Sequence, residues 1–119
     1  MCWYSLCGDV NFIFMTNRIE VFTEMLSADP ENTMVMFGLA KEYEKVGNYA
    51  KVIALLEDYL SKAEDEGNAY GTLALAYEKT GRREQAIQVL RRGIEVSLAH
   101  GHPSMASEFK MTLELDFAD

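Results

Sequence analysis

The chain has 119 residues, 49% of them apolar and 25% charged, which is the composition of one folded domain rather than of a disordered or fibrous chain. Its 19 acidic and 11 basic residues give a net charge of −8, the wrong sign for broad contact with nucleic acid or anionic lipid. No apolar run approaches the roughly 18 residues that a membrane-spanning helix needs, so no membrane contact is expected.

Residues 1–14 read MCWYSLCGDVNFIF, aromatic-rich and without Lys or Arg. They lack the basic start and unbroken apolar stretch of a secretory signal. Helical periodicity begins at Met15, so residues 1–16 are expected to form a tail outside the fold. Met1 and Met15 are both candidate starts, and a hydrophobic anchor for a partner is the alternative use of this segment. Cys2 and Cys7 both lie here, at a spacing that is not CxxC. A disulfide scaffold would spread its cysteines through the fold, so a cytoplasmic setting is expected.

From Asn17 the apolar residues Ile19, Phe22 and Leu26 fall three and four apart, the stripe of an amphipathic helix. A second stripe follows in Met36, Leu39, Ala40 and Tyr43, and a third in Val52, Ile53, Leu56, Tyr59 and Leu60. Between them lies Val46-Gly47-Asn48-Tyr49, where glycine can end a helix in the left-handed region. The pattern then recurs. LAKEYEKVGNY from Leu39 returns as LALAYEKTGRR from Leu73, and Gly47 and Gly81 are 34 residues apart. Ile19, Ile53 and Ile87 keep that period, as do Phe22, Leu56 and Leu90. The expected units are a half repeat over 17–32 and full helix-turn-helix repeats over 33–66 and 67–100. No helix of such a unit can bury its stripe alone, so the units must stack. Ala40 and Ala74, each three residues before a tyrosine, suit close helix approach.

The end of the chain departs from the pattern. Gly101-His102-Pro103 stops one helix and starts another. Met105, Phe109 and Leu113 then recur every four residues. The positions 34 after Leu73, Ala74 and Tyr77 hold Ser107, Glu108 and Met111. Residues 103–117 are therefore expected to form a capping helix and not a third repeat.

Catalytic constellations are lacking: there is no G-x-S-x-G, no Gly-rich phosphate loop and no H-E-x-x-H. Glu57 and Asp58 are adjacent and point apart on a helix, Glu64-Asp65-Glu66 is a loop, and both read as solvated charge runs. His100, His102 and Glu108 are the only metal candidates, at no recognised ligand spacing. No enzyme activity, metal or cofactor is expected. Lys79, Arg82, Arg83, Arg91 and Arg92 read as a solvated face, with a patch for an acidic partner as the alternative.

A 34-residue unit with L-A-x-x-Y-x-x-x-G-x-Y resembles the tetratricopeptide repeat family. Leu39, Ala40, Tyr43, Gly47 and Tyr49 carry the motif first, and Leu73, Ala74, Tyr77, Gly81 and Ala86 carry it again. Pro30 stands where the family places a proline between units. Met36 and Tyr70 replace the family's early tryptophan, Val52 replaces an alanine, and no proline follows Lys62. The layout also resembles small bacterial repeat proteins.

The resemblance implies an all-α, right-handed solenoid acting as a non-catalytic module. Its first helices would line a concave groove for a peptide or helix of another protein. That groove would hold Met34, Phe37, Lys41, Lys45, Asn68, Gly71, Thr72, Leu75 and Lys79, with Phe109 from the capping helix. Phe37, Lys41, Gly71 and Leu75 occupy places where chaperone-tail binders use Lys and Asn, so that clamp is missing. The change from Met34 and Phe37 to Asn68 and Gly71 points to an apolar anchor of Met34 and Phe37 beside Gly71. Lys41 and Lys79 would then orient an acidic group. In the competing reading, Phe37 merely fills space left by Gly71. The alternative function is a self-assembling structural subunit, a homo-oligomer joined through the solenoid ends.

Overall fold

Every periodic segment is helical. The computed structural model describes the backbone of residues 10–117 and the side chains of residues 18–117. Its elements are α1 (Val10–Ala28), α2 (Thr33–Lys45), α3 (Tyr49–Lys62), α4 (Asn68–Lys79), α5 (Arg83–Ala99) and α6 (Pro103–Asp116), with no strand among the described residues. Helical backbone begins at Val10, so residues 10–16, expected in a tail, continue the first helix. Neither Gly nor Pro interrupts the chain from Val10 to Ala28, and a helix once nucleated propagates through such a stretch. The rest of the expected tail, with both cysteines, lies outside the described residues. No described helix is long and apolar enough to cross a membrane.

Three turns use one device. Gly47, Gly81 and Gly101 have φ of 77°, 79° and 77°. Each glycine N–H donates to the carbonyl three residues back, on Glu44, Glu78 and Leu98. The following N–H, of Asn48, Arg82 or His102, reaches the carbonyl of Tyr43, Tyr77 or Ser97 at 2.8–3.0 Å. The paired bonds satisfy carbonyls that would otherwise be orphaned at the ends of α2, α4 and α5.

The helix starts are capped less uniformly. Asn32 and Asn48 accept from the N–H groups of Val35 and Lys51 at 3.2 and 3.3 Å. Before α4 stands Gly67, which has no side chain to offer. Asp65 substitutes: its Oδ2 accepts from the N–H groups of Gly67 and Ala69 at 2.8 and 3.0 Å, and its Oδ1 accepts the Tyr59 hydroxyl at 2.9 Å. Glu66 Oε1 lies 2.5 Å from His102 Nε2. The acidic run expected to be solvated is therefore partly a cap and partly a link between two turns.

Each helix packs chiefly against its neighbours in the chain, giving an elongated stack of 55 × 33 × 24 Å. The core runs through it, with Ala40, Val52, Leu56, Leu73, Ala74, Tyr77 and Leu90 buried. Tyr77 spans two units, its hydroxyl donating to the Glu57 carboxylate on α3. Glu57 thus serves packing and is not simply solvated. At the first end, no described side chain of α1 is buried; Ile19, Phe22 and Leu26 are half-buried. Glu42 is buried in α2, with Oε2 meeting Lys45 at 2.9 Å and Arg18 at 3.8 Å, while Oε1 has no hydrogen-bond partner among the described residues.

Helix α6 packs on α5 and reaches α4. Gly71 on α4 and Gly93 on α5 make room for Phe109, since a Cβ on either would lie 3.0 Å from its ring. Phe117, just past α6, is also buried. The Arg83 guanidinium stacks 5.3 Å from the Phe117 ring centre and donates to its carbonyl at 2.7 Å.

Candidate interaction groove

Between α4 and α6 lies a cleft of about 260 Å³. Gly71 meets Phe109, and seven residues further along each helix Glu78 and Asp116 line the same cleft. The two helices therefore run in the same direction. Ala74, Leu90, Phe109 and Phe117 form a buried floor, and Leu75, 37% exposed, projects beside it. Glu78, Glu108 and Asp116 stand exposed along the walls. Thr112 lies between, its hydroxyl donating to the Glu108 carbonyl at 3.0 Å. Among the described residues none of the three carboxylates has an ion-pair partner.

Next to this cleft, α2 and α4 are tied across the groove. Lys41 Nζ pairs with Glu44 at 2.7 Å and donates to Thr72 Oγ1 at 3.4 Å. Lys45 is held by Glu42 at 2.9 Å. Both cations are already answered by carboxylates of their own helix.

The structure brings together only some of the residues expected in the groove. Gly71, Leu75 and Phe109 share the α4–α6 cleft, with Phe109 as floor more than as free contact. Lys41 and Thr72 meet in the neighbouring stretch. Asn68 and Lys79 are exposed on α4, and Met34 is 82% exposed at the start of α2. Phe37 turns toward α3, its ring 5.4 Å from that of Tyr59. Phe37 does not fill the space at Gly71. That space takes Phe109, because α6 lays its own aromatic residue across the two glycines. Asp116 and Phe117 were not anticipated in the groove; only the following helix, once docked, brings them to α4.

The strongly shifted ionisations are those of two tyrosines, on α3 and α4, each bonded to a carboxylate. Burial, aided by the hydrogen bond to Asp65, pushes Tyr59 up to about 12. Burial and the bond to Glu57 push Tyr77 up to about 12 as well. Among the described residues no three His, Cys, Asp or Glu side chains are grouped to hold a metal ion. His102, a metal candidate by sequence, faces Glu66 instead.

Residues 45–97 match the tetratricopeptide repeat family. No curated protein matches the chain. Among solved structures, the crystal structure of MamA is similar over 82% of this chain, at 23% identity and a TM-score of 0.64. The match spans 66% of that protein's chain. At this identity the likeness concerns the fold: stacked helix pairs in an all-α solenoid. The match over residues 45–97, the shared fold and the glycine turns recurring at 34 residues together support a tetratricopeptide-type repeat solenoid for this chain.

Proposed function

We propose that this chain is a non-catalytic, cytoplasmic interaction module that holds a peptide or helix of another protein in its concave groove. Proteins built of these repeats are interaction and scaffold modules, and one observation supports the specific reading here. The α4–α6 cleft combines an apolar floor, a partly exposed Leu75 and polar walls, the composition of a surface that receives a side chain from outside. Among the described residues its three carboxylates have no ion-pair partner.

The test uses a partner captured from native lysate and purified. Leu75→Ala should weaken its binding by about 2 kcal/mol, the scale of an anchor contact, with helix content unchanged. Phe37→Ala, whose ring packs on Tyr59, should weaken binding far less. Equal affinity of Leu75→Ala and the parent would remove the cleft as the binding site.

A second reading is self-assembly through the solenoid ends. Met111 and Leu115 favour it, one turn apart on α6 and 58% and 75% exposed. Light scattering over a concentration series, with Leu115→Ser as control, separates the two readings.

A further inference from the structure

Within the groove, the balance of charge gives the partner's chemistry. The carboxylates of Glu78 and Asp116 line opposite walls of one cleft, and Glu108 adds a third. Arg83 lines an adjoining pocket with Glu78 and Asp116, its guanidinium held on the ring and carbonyl of Phe117. Lys79 is exposed on α4 but does not line the cleft.

The backbone adds to the same sign. Because α4 and α6 run in the same direction, the negative ends of both helix dipoles lie on the side of the cleft where Glu78 and Asp116 stand. A helix end normally attracts basic side chains, and α2, α3 and α4 each carry a lysine in the last turn: Lys45, Lys62 and Lys79. The last turns of α1, α5 and α6 have no basic residue, and in α6 Asp116 closes the helix. Helix stability alone would disfavour that choice; a positively charged visitor would reverse its cost.

We infer that the α4–α6 cleft binds a cationic segment of another protein, with one large apolar side chain set against Leu75 and Phe109 and flanking Lys or Arg set on Glu78 and Asp116. This rests on the groove reading above and reverses the expected sign of the ligand, since Lys41 is taken up by Glu44. The occupant is a foreign chain and not a second copy, because two copies at net charge −8 repel.

The probes are two labelled synthetic peptides of equal length with the same leucine-phenylalanine centre, one flanked by Lys and Arg, the other by Glu. Fluorescence anisotropy should show the cationic peptide binding at least about tenfold tighter, with affinity falling as salt rises. The double variant Glu78→Gln/Asp116→Asn should bind it about tenfold more weakly and lose most of the salt dependence. The same variant should melt no earlier than the parent, since Asp116 opposes the dipole of α6. Leu75→Ala should weaken binding while keeping the salt dependence.

Equal affinity for both peptides, no binding of the cationic one, or an unchanged double variant would each overturn the cationic inference. If Leu75→Ala still weakens whichever peptide binds, the groove reading survives that failure. If Leu75→Ala leaves binding of the cationic peptide intact, the groove reading itself fails. A concentration-dependent mass for the protein alone, abolished by Leu75→Ala, would make a second copy the occupant and overturn the inference.

Discussion

Tyr59 and Tyr77 bind adjacent segments through hydroxyl groups that donate to Asp65 and Glu57, and this sets a pH dependence. An unfolded tyrosine loses its proton near pH 10, whereas both of these are held to about 12 in the fold. Between those values the native state keeps more protons than the unfolded state, so stability falls as pH rises through the window; below it the contribution is complete. The variant Tyr59→Phe/Tyr77→Phe should therefore lose less stability than the parent between about pH 9 and about pH 11.5, measured by urea unfolding. At the turns, Gly81→Val should destabilise the protein by about 1–3 kcal/mol, because φ of 79° is costly for a β-branched residue. An unchanged melting curve would contradict the left-handed turn. The turn glycines are legible in the sequence because a positive φ selects one residue type. Asp65 is not: an acid that caps α4 and an acid in a solvated run look alike until the chain folds back on Gly67 and Ala69.

The helices themselves follow from apolar spacing, and five of the six begin close to their capping or turn residues. For the first, the sequence does carry a start signal, Gly8-Asp9 just before Val10, but the apolar periodicity begins only at Met15. The role of α6 was legible only in part. Gly-His-Pro announces the helix, but a search at a fixed 34-residue period misses its internal likeness to α4. Ala106 and Phe109 have the three-residue spacing of Ala74 and Tyr77, displaced by two residues, and both are buried. Phe109 then holds the element in place. Phe109→Ala should cost about 3 kcal/mol, as large aromatic truncations in cores do, read from urea unfolding. Gly71→Leu should also destabilise, since its Cβ would press on the Phe109 ring. Retention of full stability in Gly71→Leu would mean that α6 docks loosely.

At the level of the whole chain, stability is distributed along a stack whose helices touch mainly their neighbours. The described part of α1 buries no side chain, while α4 buries five residues. Amide hydrogen exchange should accordingly be fastest in α1 and slowest in α4 and α5. The solenoid could be read from period alone, since repetition at 34 residues requires stacking. The sign of the groove could not. Glu78 and Asp116 are 38 positions apart, and only the packing of α6 on α5, parallel to α4, sets them on one cleft. The most direct test places a photo-crosslinking side chain at Leu75 and, in a separate sample, at Leu98, which is exposed on α5. In native lysate the Leu75 probe should yield discrete adducts with a partner and the Leu98 probe should not. Adducts of equal yield from both positions, or from Leu98 alone, would contradict binding in the α4–α6 groove.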